Sequence, residues 1–474
     1  MSPRGTSRGS VRSRQLRRGG DDTGLGPPSG IVAIVGRPNV GKSTLFNRLT
    51  GQRHAIVDEM AGLTRDRLYG VAEWRGRRFT VVDTAGLDPG LVSDDPGIAE
   101  LTRGTQEQAR LAIAEADVCV LMLDIRAGVT GLDEDVAAVL RSGGARVIVA
   151  GNKADSASSS HYAHELYRLG LGEPILVSAL NGTDTGDLLD EVVERLPPPD
   201  VNAVEASDEL RIAIIGRPNV GKSSLLNILT GEQRALVSSV AGTTRDAVDT
   251  VLTHEGMQVR LVDTAGIRRR GLVGTSVEHY SLLRAMRAIE RCDVALMVVD
   301  AAQGVVAQDR HIAGYAAESG KGAVVIANKW DLVDQEDRAD PGFLKAFHRA
   351  FDFIPSVPVL TLSALEGRNV QHVLEKGVQV AEARSVRIPT SALNNVIRDA
   401  VDARPPRYSK GRRVKILFAT QASTPNPTIV LFVNDPDLLH FSYGRYLENR
   451  IRSVFGFAGT RLQIVPRMKS DTRG

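Results

Sequence analysis

The chain has 474 residues, 42% hydrophobic and 24% charged, the composition of a globular protein with about three domains at roughly 150 residues each. No run approaches the ~18 apolar residues of a membrane span, and the N-terminus lacks the apolar core of a secretory signal, so a cytoplasmic protein without membrane contact is expected. The net charge of +3 conceals an asymmetry: residues 1–20 carry six Arg and no acid, residues 381–474 carry 16 Lys or Arg against 7 Asp or Glu, and the middle is left at −12. Basic ends flanking an acidic centre point to a polyanionic partner such as RNA.

Residues 1–29 are rich in Arg, Ser, Gly and Pro and cannot bury enough apolar surface to offset the entropy of ordering. A disordered tail is expected there. Strand-length apolar runs follow at Ile31–Val35, Phe79–Val82, Val118–Leu123, Val147–Ala150 and Ile175–Val177, separated by helical patterns. After Pro197–Pro199 and an acidic stretch, a second series runs through Ile212–Ile215, Val259–Val262, Val294–Val299, Ala323–Ala327 and Val359–Leu362. Strands spaced by helices imply right-handed crossovers and mostly parallel sheets, with ligands at their carboxyl edges. The last segment reads as a helix at Arg387–Ala403, strands at Val414–Ala419 and Thr428–Val433, a basic helix at Arg445–Phe455 and a strand at Gln463–Val465. This predicts a small α+β domain with strands on one side and helices on the other. Cys119 and Cys292 stand in separate domains and are expected to be buried, reduced thiols.

The two series are an internal duplication. Gly36-Arg37-Pro38-Asn39-Val40-Gly41-Lys42-Ser43 recurs as Gly216-Arg217-Pro218-Asn219-Val220-Gly221-Lys222-Ser223. Both match G-x-x-x-x-G-K-[ST], whose backbone N–H groups wrap nucleotide phosphates, with Lys on the β- and γ-phosphates and Ser on Mg²⁺. Asp83-Thr84-Ala85-Gly86 and Asp263-Thr264-Ala265-Gly266 each close an apolar strand, where the Asp is expected to hold the metal's water shell. Asn152-Lys153-Ala154-Asp155 and Asn328-Lys329-Trp330-Asp331 follow later strands. This N-K-x-D pattern selects guanine, because its Asp accepts a pair of hydrogen bonds from N1–H and the 2-amino group that adenine lacks. Ser178-Ala179 and Ser363-Ala364, 26 and 35 residues after the Asn, stand where a loop meets the guanine O6. Thr64 and Thr244, within G-x-T-R-D, are the expected switch threonines and metal ligands, with Thr243 a neighbouring competitor.

Two departures from Ras-like enzymes shape the expected chemistry. Leu87 and Ile267 occupy the position after D-T-A-G where those enzymes place a water-orienting Gln, so intrinsic turnover is expected to be slow. Asn39 and Asn219 replace a P-loop Gly, and an amide oxygen there suits a K⁺ ion set against the phosphates; the competing reading is that both merely shape the loop. The copies also differ after D-T-A-G, with Asp88-Pro89-Gly90 in one and Arg268-Arg269-Arg270 in the other.

Together, the duplicated loops, paired motifs and basic C-terminal segment resemble the bacterial family of ribosome-biogenesis GTPases called Der or EngA. Val430-Leu431-Phe432-Val433-Asn434-Asp435-Pro436, with His440-Phe441-Ser442-Tyr443 and Arg445-Tyr446-Leu447-Glu448-Asn449, looks like that family's KH-like domain. The resemblance spans about residues 30–468. It implies an α/β chain of two P-loop GTPase domains with mostly parallel sheets and a small α+β KH-like domain. The expected layout is a tail at 1–29, G domains at 30–199 and 210–383 around an acidic linker at 200–209, the KH-like domain at 384–468 and a tail at 469–474. The resemblance further implies GTP hydrolysis with Mg²⁺, and maturation of the large ribosomal subunit through contact with its rRNA by a chain that is monomeric when free. Lys410, Arg412, Arg413, Arg450 and Arg452 are candidate phosphate contacts, and Gly456-Phe457-Ala458-Gly459 reads as a turn rather than an RNA-clamping G-x-x-G loop. A tRNA-modification GTPase would need a further domain for which no chain is spare, and a non-hydrolysing RNA scaffold is the other alternative.

Overall fold

The computed structural model describes residues 28–51, 69–84, 110, 112–113, 115–144, 146–155, 163–198, 209–232, 249–264, 267, 277–409, 412–422 and 426–468. In the first G domain, β1 (Ile31–Val35), β2 (Tyr69–Trp74), β3 (Arg77–Asp83), β4 (Val118–Asp124), β5 (Val147–Asn152) and β6 (Ile175–Leu176) form one sheet in the order β2-β3-β1-β4-β5-β6. Helices α1 (Lys42–Thr50), α2 (Gly131–Ser142), α3 (Ala163–Tyr167) and α4 (Thr185–Arg195) supply cover for it. β1, β4 and β5 are buried along their whole length and apolar up to the Asp124 and Asn152 that close β4 and β5, as strands covered on both faces must be. Two buried clusters result, one on each face.

The second G domain repeats the plan. β7 (Glu209–Ile215), β8 (Thr250–His254), β9 (Met257–Val262), β10 (Val294–Asp300), β11 (Gly322–Asn328) and β12 (Val359–Thr361) order as β12-β11-β10-β7-β9-β8. Its helices are α5 (Lys222–Glu232), α6 (Val277–Arg291), α7 (Ala307–Glu318), α8 (Gln335–Ala339), α9 (Pro341–Ala350) and α10 (His372–Ser385). The parallel strands fall where the apolar runs predicted them. The antiparallel edge strands β2 and β8 were not foreseen. Each is joined to its neighbour by a two-residue turn, Arg75-Gly76 or Glu255-Gly256, with positive φ at both positions. That is the twist-matching hairpin turn, but Arg and Glu are unusual in its first place.

The C-terminal unit has α11 (Thr390–Ala403), a ribbon of β13 (Tyr408–Ser409) and β14 (Arg412–Arg413), then β15 (Ile416–Gln421), β16 (Thr428–Val433), α12 (Phe441–Phe455) and β17 (Gln463–Met468). β15 and β16 pair antiparallel and β16 and β17 parallel, with α11 and α12 packed together over a shared core. Gly456–Gly459 is indeed a turn between α12 and β17. Its last residue docks the unit onto the second G domain: Ala323 donates its N–H to the Gly459 carbonyl at 2.8 Å, and Gly459 donates to Ser356 at 3.2 Å. At φ +65°, a Cβ on Gly459 would lie 2.5 Å from the Ala323 oxygen, so only glycine fits. Arg452 is a correction. It is buried, bonded to Glu448 and to the Phe457 carbonyl, and belongs to the domain's own frame rather than to an RNA surface. Exposed Arg412 and Arg450 remain available at the surface, whereas Lys410 lies outside the described residues.

The two G domains share a contact built on α6 and α7. Ile31 and Val82 of the first sheet join the buried cluster containing Leu283, Met286 and Tyr315 of the second. Tyr315 stacks edge-on against Tyr69 at 5.1 Å, and its hydroxyl lies 3.0 Å from Thr80 Oγ1 and donates to Glu290 at 3.0 Å. Arg287 grips Asp117 with two bonds of 2.8 and 3.1 Å. Burial, aided by Asp117 and opposed by Arg287, Tyr315 and Lys321, pushes the Glu290 carboxyl from 4.5 up to about 7. Its protonated form is therefore favoured in the docked state. Because Asp117 of the first domain contributes to that shift, docking is expected to be strongest below the ordinary carboxylate range and to weaken as pH rises through about 7. Energy transfer between labels on the two G domains should accordingly fall between pH 6 and 8, and Glu290→Gln should flatten that dependence.

Candidate nucleotide sites

Both P-loops sit between the end of the first strand of their sheet and the helix that follows, at the sheet's carboxyl edge. The loop's path is set by backbone conformations few residues accept. Asn39 and Asn219 adopt φ 64° and 63°, a left-handed region that asparagine tolerates, and both side chains are exposed. Gly41 and Gly221 lie at φ 101° and 97°, where a Cβ would come within 2.3 and 2.1 Å of the Nδ2 of Asn152 and Asn328. Those asparagines clamp the site identically in each copy. Asn152 Nδ2 donates to the Val40 carbonyl at 2.7 Å while its Oδ1 accepts from Ala179 N at 2.9 Å, and Asn328 bonds Val220 and Ala364 at the same distances. One amide thus ties the N-K-x-D strand to the P-loop and to the Ser-Ala loop.

The P-loop lysines are buried and curl within their own loops. Lys42 Nζ donates to the carbonyls of Gly36 and Arg37 at 2.7 and 2.9 Å, and Lys222 does the same with Gly216 and Arg217. Burial pulls the Lys42 ammonium down to about 8, with Asp83 working against that and Arg37 adding to it. Arg37 and Arg217 are in turn anchored to Asp133 at 3.3 Å and Asp309 at 2.9 Å, carboxylates buried at the starts of α2 and α7. Each of these carboxylates also accepts the backbone N–H of the residue preceding its helix. Sequence reasoning missed this support. The available signal was that Asp133 and Asp309 are 176 apart, the offset of Asn152 and Asn328.

At the base end, Lys153 and Lys329 take left-handed backbone and pair with Asp124 and Asp300 at 2.5 and 2.6 Å. Asp155 accepts from Ser178 Oγ at 2.6 Å and pairs with Arg126 at 2.5 Å. Asp331 differs: its Oδ1 is buried with no hydrogen-bond partner among the described residues. A buried, unpaired carboxylate oxygen costs free energy until a donor meets it, which suits the paired N–H groups of guanine.

The metal positions differ more. Ser43 Oγ donates to Asp83 Oδ2 at 2.6 Å, so two hard oxygens stand together at the start of α1, a donor set that suits Mg²⁺. Asp83 closes β3, paired opposite Ile34, and the Thr84 hydroxyl bonds the Ile34 carbonyl at 2.7 Å. In the second copy β9 leaves the ladder one residue earlier, at Val262 paired with Ala213. Asp263 takes left-handed φ 57°, the Thr264 hydroxyl meets Thr250 at 2.9 Å, and Ser223 Oγ donates to the Ile267 carbonyl at 3.0 Å. Structure thus joins the Ser–Asp pair in the first site and engages its members elsewhere in the second. Ile267 is buried in the apolar core, while Leu87, Ala85, Gly86, Ala265, Gly266, the switch threonines Thr64 and Thr244, and residues 88–90 and 268–270 lie outside the described residues.

Fold and sites together define a tandem P-loop GTPase carrying a C-terminal KH-like domain. A family model described as a 50S ribosome-binding GTPase matches twice, over residues 31–153 and 211–329, and one described as the KH-domain-like C-terminal domain of EngA bacterial GTPase enzymes matches residues 387–467. GTPase Der of Desulforamulus reducens is 50% identical over 442 residues, covering 93% of this chain and 99% of that protein. GTPase Der of Herpetosiphon aurantiacus is 50% identical over 438 residues, covering 92% and 96%. The chain belongs to the GTPase Der (EngA) family, and binds and hydrolyses GTP. Among the described residues no helix is long and apolar enough to cross a membrane, and both cysteines are buried and free.

Proposed function

We propose that the chain is a cytoplasmic assembly factor for the large ribosomal subunit, monomeric when free, in which two guanine-nucleotide switches control an RNA-binding KH-like domain. The observation that carries this reading is the same asparagine-clamped, lysine-bearing loop built twice in one chain, next to a C-terminal unit with exposed arginines. The family model's description as 50S ribosome-binding and the excess basic charge of residues 381–474 support the partner.

At each site Lys42 or Lys222 turns from its loop carbonyls to the β- and γ-phosphates, and Asp155 or Asp331 reads the base. Ser43, Asp83 and Thr64, with Ser223, Asp263 and Thr244 in the second copy, hold Mg²⁺, which neutralises charge on the phosphates when bound. Leu87 and Ile267 carry no group able to orient water, so hydrolysis is slow. Asn39 and Asn219 would supply the catalytic supplement: their amides are exposed on the P-loop and would hold K⁺, which would add positive charge beside the phosphates. Single-turnover GTP hydrolysis by the full chain, with and without large-subunit particles, tests this. Exchanging Na⁺ for K⁺ should raise the rate about tenfold or more, and Asn39→Ala or Asn219→Ala should each abolish the gain at its own site. Equal rates in both salts at both sites would remove the cation from the mechanism.

A further inference from the structure

Arg284 on α6 stands between two carboxylates that belong to different domains. Its Nε lies 3.4 Å from Glu115 Oε1 of the first G domain and 3.8 Å from Asp263 Oδ2, the metal-site aspartate of the second. Glu115 and Asp263 are both largely buried, while Arg284 is 40% exposed. Beside this triad, Arg287 fixes the first domain through Asp117, a carboxylate that also accepts the Ile31 N–H opening β1. In sequence, the first copy has no arginine at the matching positions. At the 176-residue offset that relates Asp117 to Asp293, Arg284 and Arg287 stand against Gln108 and Leu111.

The backbone beneath Asp263 agrees with a carboxylate held off its metal position. Its φ of 57° is a strained conformation for a non-glycine residue, whereas Asp83 keeps its place in the strand. Asp249 accepts the Asp263 N–H at 3.0 Å and is itself paired with Arg291 at 2.8 Å, which fixes the peeled strand end. Ser223, the expected co-ligand, is engaged by the Ile267 carbonyl. The single Nε–H is the nearest donor to both acids, and one N–H cannot point at both. Whichever carboxylate leaves, that N–H is free to turn to the other.

We propose that Arg284 is a positioning residue of the second nucleotide site, shared between Asp263 and Glu115, so that when Asp263 turns to its metal-holding position the guanidinium passes to Glu115 and tightens the contact between the G domains. The inference rests on the reading of Ser223 and Asp263 as the metal-holding pair. Linkage makes the coupling reciprocal: Glu115 competes for Arg284 and thereby favours the loaded second site. Two substitutions then act in opposite directions on one affinity, which a merely structural loss at the interface would not do.

The test uses the full chain carrying Asp331→Asn, which pairs an amide with xanthine and lets labelled xanthosine nucleotides report the second site while GDP reports the first. Affinity for a non-hydrolysable xanthosine triphosphate is measured with and without Mg²⁺ at pH 8. Arg284→Ala should raise the Mg²⁺-dependent affinity about fivefold, Glu115→Gln should lower it about threefold, and the double variant should match Arg284→Ala. Arg284→Lys should behave nearly as the parent, and first-site GDP affinity should stay within twofold in all of them. Either single substitution leaving the Mg²⁺-dependent affinity within 1.5-fold, or both shifting it in the same direction, overturns the proposal (roughly the resolution of such titrations). A parent variant whose xanthosine triphosphate affinity does not depend on Mg²⁺ would instead overturn the reading of Ser223 and Asp263 beneath it, and one that takes no xanthosine nucleotide would overturn the assignment of Asp331 to the base.

Discussion

Asp155→Asn and Asp331→Asn should each convert one site from guanine to xanthine, with a loss of roughly 10³-fold in GDP affinity at that site and little change at the other. The carboxylate accepts two N–H groups from guanine, whereas an amide offers one acceptor and one donor, the complement of the xanthine N1–H and O2. The second site should show the cleaner switch. Asp331 has a buried oxygen with no partner among the described residues, so a neutral amide there relieves a desolvation cost. At the first site the substitution also removes the ion pair with Arg126, and the Ser178 and Asn181 bonds to Asp155 must rearrange. Titration of each variant with labelled GDP and XDP checks this. Binding of two GDP per chain in either variant would contradict the base-recognition assignment.

A comparable loss is expected from Lys42→Ala and Lys222→Ala, each confined to its own domain. Each ammonium is buried in its loop and held by two carbonyls, poised to exchange them for phosphate oxygens. A charge-assisted bond to each of two phosphates is worth several kcal/mol together, so affinity for GTP at that site should drop roughly 10³-fold and hydrolysis with it. Phosphate release by the two single variants, compared with the double variant, divides the activity between the domains. Unchanged release in both single variants would contradict the role assigned to the two lysines.

Much of this was legible because the P-loop, D-T-A-G and N-K-x-D segments are backbone devices: their spacing encodes a turn, a strand end and a base contact almost directly. The edge strands β2 and β8 were not legible, since Arg75-Gly76 and Glu255-Gly256 do not carry the Asn or Asp that marks their turn type. Arg452 was misread because a basic helix face does not reveal that Glu448, one turn earlier, neutralises it inside the domain. The carboxylates Asp133 and Asp309 escaped notice because a helix cap and a P-loop brace look alike in sequence. Nor could identical motifs disclose that Asp83 stays in its strand while Asp263 leaves it, since the residues that meet Asp263 there, Arg284 and Asp249, lie outside every motif.

The central claim, that nucleotide state governs ribosome contact, is tested most directly by co-sedimenting the full chain with large ribosomal subunits under a non-hydrolysable GTP analogue, GDP or no nucleotide. The account predicts that the pelleted fraction is highest with the GTP analogue and falls with GDP. Equal pelleting in all three conditions, or none in any, would contradict it.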